Sequence, residues 1–256
     1  MRIDKGSSAA LSDLLLALAD DELILGHRDS EWCGCAPILE EDIAFANIAL
    51  DEIGHAMLWY GLLSQLQEQD PDSYPDRLVF TRFPDEFRNI QMVELPNGDW
   101  AFSMLRQFLF DAAEAVRLAS FVMSQFTPLA EIAAKIRKEE IYHYRHTHAW
   151  VRRLGLGTEE SHMRMQKALD ELWPYALQLF VPLPGEELLV EAGIILQNAS
   201  HKAGWQERVR PVLEECKLSI PAVQTPDVNR TRHTPHLKLL VDDLQAVASL
   251  EPESEW

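Results

Sequence analysis

Three Glu-x-x-His segments occur in this sequence: Glu52 to His55, Glu140 to His143 and Glu159 to His162. On a helix, residues three apart share a face, so the carboxylate and the imidazole can hold the same cation. An acidic chain also produces such a spelling by accident on solvated surface. The third segment reads that way, because it follows GLGT at a helix start, where acids suit the helix dipole. The other two interrupt apolar stripes. One runs Phe45, Ile48, Glu52, His55, Trp59, Leu62, and the other Leu129, Ile132, Ile136, Glu140, His143, Thr147, Trp150.

Two further stripes carry an acid without a histidine: Leu11, Leu15, Leu18, Glu22, Leu25, and Gln107, Phe110, Glu114, Leu118, Phe121. Asp111 competes with Glu114, since it shares a neighbouring stripe with Met104, Phe108, Leu118 and Val122. Buried carboxylates without compensation cost several kcal/mol each, and four together repel one another. Cations are the natural compensation, and four carboxylates neutralise two divalent ions. One Glu from each of two helices and a Glu-x-x-His from each of two others is the di-iron or di-manganese pattern of four-helix bundles. The candidate ligands are therefore Glu22, Glu52, His55, Glu114, Glu140 and His143, for two iron ions or, alternatively, manganese. Oxygen and nitrogen donors without thiolate favour those metals over sulfur-bound centres. Asp51 and Glu139 directly precede the two motif glutamates and are placed to accept a ligating ring's second N–H.

The elements that must position these residues are nearly all helical. Periodicity of 3.6 residues recurs along the chain, with no hairpin signal. Helices are predicted over about 8–29, 40–67, 99–124 and from Thr127 to the glycines at 154–157, in the LPNGDW and LGLG settings that start and stop helices. A proline-bearing crossover over about 70–97, with a short helix near Asp85 to Val93, joins the second to the third. Further helices follow over about 159–180, 186–196, 199–217 and 236–250, and Pro174 is expected to kink or interrupt the first of these. The reading is an all-α, ferritin-like four-helix bundle: one domain over 1–256, its core over about 8–155 and a C-terminal helical extension over about 159–256.

Composition sets the outer limits. With 256 residues, 47% of them hydrophobic, a sizeable core is affordable. The formal charge of −18, from 41 acidic and 23 basic residues, opposes binding to a phosphate backbone, so nucleic acid is excluded as a partner. No stretch has the roughly 20 apolar residues of a membrane span, and the N-terminus lacks an apolar signal run, which gives a cytoplasmic expectation. Cys33, Cys35 and Cys216 fit neither a disulfide framework nor a zinc spacing and are expected to be reduced and buried. WCGC, with one residue between its cysteines, lacks the thioredoxin-like spacing and reads as a loop packed by Trp32. His146 falls off the inward stripe, and HTPH (233–236) is expected to cap the last helix.

Longer segments bring a family into view: EWCGCAPILEEDIAFANIALDEIG (31–54), LPNGDWAFSMLRQF (95–108), KEE and YH around Tyr142, HTPHL and DDLQ in the tail, and the terminal Trp256. Through them, almost end to end, the chain resembles the C-subunit family of phenylacetyl-CoA 1,2-epoxidases. The resemblance implies a ferritin-like component of a multicomponent oxygenase of aerobic phenylacetate catabolism. It implies a related, catalytic A-type subunit with a di-iron centre, a small bridging subunit, and a reductase with flavin and an iron–sulfur cluster. It implies an acyl-CoA substrate at the level of the complex, and a non-catalytic, structural role for this component. In that family the ligand set need not be complete, whereas this chain has all six candidates. Two further roles fit the same residues: a scaffold with a metal-free polar core, and a stand-alone ferritin-like di-iron oxidase. Lys202, Arg208 and Arg210, or Lys135, Arg137 and Lys138, are the basic groups nearest to a phosphate-binding cluster, and they form no diagnostic pocket.

Overall fold

In a computed structural model, residues 4–224 and 228–250 are described; the terminal Trp256 of the resemblance lies outside them. They form helices α1 (Lys5–Ser30), α2 (Leu39–Leu66), α3 (Tyr74–Phe80), α4 (Gln91–Glu94), α5 (Trp100–Phe121), α6 (Thr127–Gly155), α7 (Glu159–Ala176), α8 (Glu186–Glu191), α9 (Asn198–Glu215) and α10 (Pro235–Leu244), with no strand among the described residues. The four long predicted helices are present within a few residues of their expected ends. Asp99 starts α5 by accepting a hydrogen bond from Phe102 N at 3.0 Å, and the Thr158 side chain caps α7.

The chain divides into two compact units. One comprises Leu11–Pro96 and Arg230–Trp256. Here α1 lies close along α2: a Cβ at Gly26 would stand 3.0 Å from Ala49 O, Glu52 Cβ and Ile53 Cγ1. Only glycine admits that approach, and it falls one turn after Glu22, at the level of Glu52. The crossover departs from expectation. Instead of a helix over Asp85–Val93 it has α3, a 3₁₀ turn at Pro84–Glu86 and the short α4. The reason is in α1: Asp20 Oδ2 accepts from Arg88 N (2.6 Å) and Asp21 Oδ1 from Ile90 N (2.8 Å). Backbone donors that a continuous helix needs are held by two buried acids.

Those acids are themselves tied to arginines. Arg82 donates to both oxygens of Asp20 (3.0 and 2.6 Å), Tyr60 Oη donates to Asp20 Oδ1 (2.5 Å), and the Arg82 guanidinium lies 4.0 Å from the Phe87 ring centroid. Burial first, then the Asp20 charge, pushes the Tyr60 phenol well above its usual range, so it remains a donor. Arg230 fastens the tail by donating to both oxygens of Asp21 (2.9 and 2.8 Å). His233 does the same through Glu94 Oε1 (2.6 Å) and Phe87 O (3.0 Å). The side chain that caps α10 is that of Thr234.

The second unit comprises Met1–Ala10 and Asn97–Asn229. In it α5 packs along α6, with Trp100 edge-on to Trp150 (5.7 Å) and Phe108 stacked on Tyr144 (5.7 Å). Trp205 of α9 stacks on Trp173 (4.9 Å) and donates from Nε1 to Leu109 O (2.9 Å). Helix α7 runs two residues past Pro174 before tightening into a 3₁₀ turn at Leu177–Phe180, so the proline sits near the end of the α-helix. No helix of the described residues is long and apolar enough to cross a membrane.

Candidate metal centre

The predicted stripes on α1 and α2 are buried along their length. Glu22, Glu52 and His55 are at most 1% exposed, within Leu11, Leu15, Leu18 and Leu25 on α1 and Phe45, Ile48 and Trp59 on α2. His55 Nδ1 lies 3.7 Å from Glu22 Oε2 and 3.9 Å from Glu52 Oε2, and one ligand atom from each of the three lies within 4.8 Å of the others. These separations are long for hydrogen bonds. They fit donors around a common ion, which at about 2.1 Å from each holds neighbouring ligand atoms roughly 3 Å or more apart. The donor set of oxygen and imidazole nitrogen fits iron or manganese.

In the other unit, α6 contributes Glu140 and His143, at most 1% exposed, with His143 Nδ1 at 3.1 Å from Glu140 Oε1. Helix α5 contributes two buried acids with different partners. Asp111 Oδ2 accepts from Thr147 Oγ1 (2.6 Å) and Oδ1 from Gln107 Nε2 (2.8 Å), and a carboxylate oxygen lies within 4.8 Å of a His143 ring nitrogen. Glu114 forms an ion pair with Arg117. Thr147 also reaches His143 O at 3.0 Å, so one hydroxyl ties the acid of α5 to the histidine turn of α6. Gln107 and Thr147 were legible as stripe positions, but their grip on Asp111 was not. The Glu114–Arg117 pair had a signal, the i,i+3 spacing.

The remaining motif candidates separate as expected for surface groups. Glu159 is exposed, and His162 Nδ1 stands 2.8 Å from Gly155 O. His146 stacks on Tyr142. The cysteines differ from expectation: Cys216 is buried, while Cys33 and Cys35 are exposed, because the α1–α2 connection projects both side chains from a turn.

Sequence comparison gives this geometry a context. The phenylacetic acid catabolic protein family matches residues 2–256. The chain belongs to that family. It is 35% identical over 248 residues to the C subunit of the 1,2-phenylacetyl-CoA epoxidase of Escherichia coli (strain K12), covering 96% of this chain and 99% of that protein. It is also 25% identical over 164 residues to the A subunit of the same organism's 1,2-phenylacetyl-CoA epoxidase, covering 64% of this chain and 52% of that relative. The ferritin-like, all-α fold of the family agrees with the helices described above.

One buried histidine of this family member lies off the stripes that carry the candidate ligands. His201 of α9, 4% exposed, is held down to about 4, first by burial and then by the Arg117 charge. Ser120 Oγ donates to Arg117 O (2.8 Å) and lies 2.8 Å from His201 Nε2, an arrangement that suits a neutral ring donating from Nε2. As pH falls from about 6.5 towards 4, the unfolded chain takes up a proton at this position that the folded chain refuses, so stability is lost with acidification. Urea unfolding at about pH 7 and about pH 4.5 is expected to show a loss smaller by roughly 2–3 kcal/mol in His201→Gln than in wild type. Equal losses in the two proteins would contradict this account of His201.

Proposed function

We propose that this chain is the C-type component of an O2-dependent, multicomponent epoxidase acting on an aromatic acyl-CoA such as phenylacetyl-CoA, and that it holds two divalent metal ions itself. Glu22, Glu52, His55, Glu114, Glu140 and His143 are the proposed ligands, with iron as the metal and manganese as the alternative. The observation that carries the metal reading is the Glu22, Glu52 and His55 cluster, buried and spaced for a shared ion. The six proposed ligands are four carboxylates and two imidazoles, the donor set of a dinuclear carboxylate centre. Bound there, the ions supply the capacity to activate O2.

The chain's own residues prepare the site. Burial keeps bulk water from the carboxylates, which strengthens their hold on a cation. Gln107 and Thr147 fix both oxygens of Asp111, and Thr147 anchors that arrangement to the backbone of His143. Asp111 competes with Glu114 for the ligand role in α5, as the stripe places Glu114 and the hydrogen bonds place Asp111 beside His143.

The partners proposed are a related A-type subunit, a small bridging subunit, and a reductase with flavin and an iron–sulfur cluster. Support for pairing comes from the similarity to both the C and the A component and from α2, whose outer surface exposes Leu39, Ile43, Leu50 and Met57. These apolar residues recur at helical spacing, as in a helix that packs against another chain. A second reading, a structural partner with a metal-free polar core, is favoured by the Glu114–Arg117 pair, which offsets one of the buried charges internally.

Anaerobic iron reconstitution separates the two. The metal-holding reading predicts about two irons per chain, reduced in Glu140→Ala and in whichever of Asp111→Ala and Glu114→Ala removes the α5 ligand. No retained iron in the wild-type protein, alone or with its A-type partner, would leave the scaffold reading.

A further inference from the structure

The turn between α1 and α2 carries a sequence motif that the metal reading leaves unused. It reads Trp32, Cys33, Gly34, Cys35, and both thiols are exposed. Two successive turns fold the chain here: Cys33 N donates to Ser30 O (3.0 Å) and Cys35 N to Trp32 O (2.9 Å). Gly34 sits in the left-handed region at φ +79, and its N–H is held by Asp42 Oδ1 at 2.7 Å. The bend is therefore fixed from the first turn of the next helix rather than left to chance. Even fully extended, residues two apart have Cα atoms no more than about 7 Å from each other, and the bend here brings them closer, towards the roughly 4.4–6.8 Å that a disulfide spans. Nothing lies within 4 Å of a Cβ built on Gly34, so the turn has room to adjust.

We propose that Cys33 and Cys35 form a reversible peroxide-responsive dithiol, closing to an intramolecular disulfide and reopened by a thiol reductant. One thiolate attacks a peroxide oxygen, cleaving the O–O bond to give a sulfenic acid and, for hydrogen peroxide, water. The second thiol attacks the sulfenic sulfur, forming the S–S bond and releasing a second water with its proton. The two thiols lose two electrons and the peroxide gains them, so two thiols and one hydrogen peroxide give one disulfide and two waters. Exposure admits the oxidant, and the held turn supplies the second thiol at high effective concentration, ahead of overoxidation. The inference is independent of metal binding, since it uses neither the ligands nor an ion.

The purified full chain, reduced and then treated with hydrogen peroxide, provides the test. Native protein is expected to show two thiols reacting rapidly with a disulfide dye, falling to none after treatment and returning with dithiothreitol. The peptide containing both cysteines should lose the mass of two hydrogens. Cys33→Ser and Cys35→Ser should each keep one fast thiol and yield instead a sulfenic acid that dimedone traps. Gly34→Val, which disfavours positive φ, should keep two fast thiols while slowing closure roughly tenfold. Independent oxidation of both cysteines to oxyacids, or disulfide-linked dimers with no intramolecular loss of two hydrogens, would overturn the proposal. Unchanged closure in Gly34→Val would overturn the role assigned to the turn.

Discussion

Replacing Glu52 by leucine is expected to make the metal-free protein more stable and, at the same time, to weaken metal binding by at least about 100-fold. The two effects have opposite signs because they come from one cause. Glu52 is fully buried, with Glu22 and His55 close by. Two buried carboxylates so placed carry a desolvation and repulsion cost that an apolar side chain of similar size does not. With Glu22 still within ion-pair distance of His55, relief of that repulsion and desolvation is expected to gain on the order of 1 kcal/mol. Denaturant unfolding of chelator-treated protein measures the first effect, and titration with Fe(II) or Mn(II) under anaerobic conditions measures the second. A variant that is less stable without metal would mean that Glu52 is held by structural contacts and was never destabilising.

Arg82→Met is expected to cost about 3–5 kcal/mol, the usual penalty for breaking a buried pair by removing one partner. Asp20 is fully buried and takes two hydrogen bonds from Arg82. With the guanidinium gone, Tyr60 Oη and Arg88 N remain to hold its charge. The same change removes the cation from the Phe87 ring and loosens the crossover that Asp20 organises. Urea unfolding measures the loss. Asp20→Leu combined with Arg82→Met should recover most of it, because the double replacement leaves no uncompensated charge. A double variant as unstable as Arg82→Met alone would show that packing of the arginine stem, and not charge pairing, accounts for the penalty. Arg82 thus stands in contrast to the motif residues. Asp20 and Asp21 sit beside Glu22 in sequence, yet both are matched by arginines, whereas Glu22 has the imidazole of His55 within ion-pair distance.

Much of the architecture is readable from the amino-acid order alone. The stripes that place Glu22, Glu52, His55, Glu114, Glu140 and His143 inward depend on helical period alone, and period is the strongest signal a sequence carries. The starts of α5 and α6 were legible for a similar reason, since Asp99 and the Thr127–Pro128 pair act locally. What could not be read depends on residues far apart in the chain. The broken crossover follows from Asp20 and Asp21 taking the N–H groups of Arg88 and Ile90, 68 and 69 residues away. The tail's attachment through Arg230 and His233 is of the same kind. The acids of α5 show the limit inside the site itself. Periodicity allowed both Asp111 and Glu114, and the difference between them rests on Thr147, Gln107 and Arg117, whose side-chain directions no stripe specifies. The exposed Cys33 and Cys35 depart from the tendency of free cysteine to be buried because a turn with a left-handed glycine leaves them no core to enter.

The most direct test of the central claim is Mössbauer spectroscopy of the chain loaded anaerobically with iron-57 and freed of loosely bound metal, read beside the metal content. The account predicts about two irons per chain with the signature of an exchange-coupled pair after oxidation, and loss of that signature in Glu52→Leu and His143→Ala. Iron that is substoichiometric, magnetically isolated, or bound equally by wild type and both variants would contradict it.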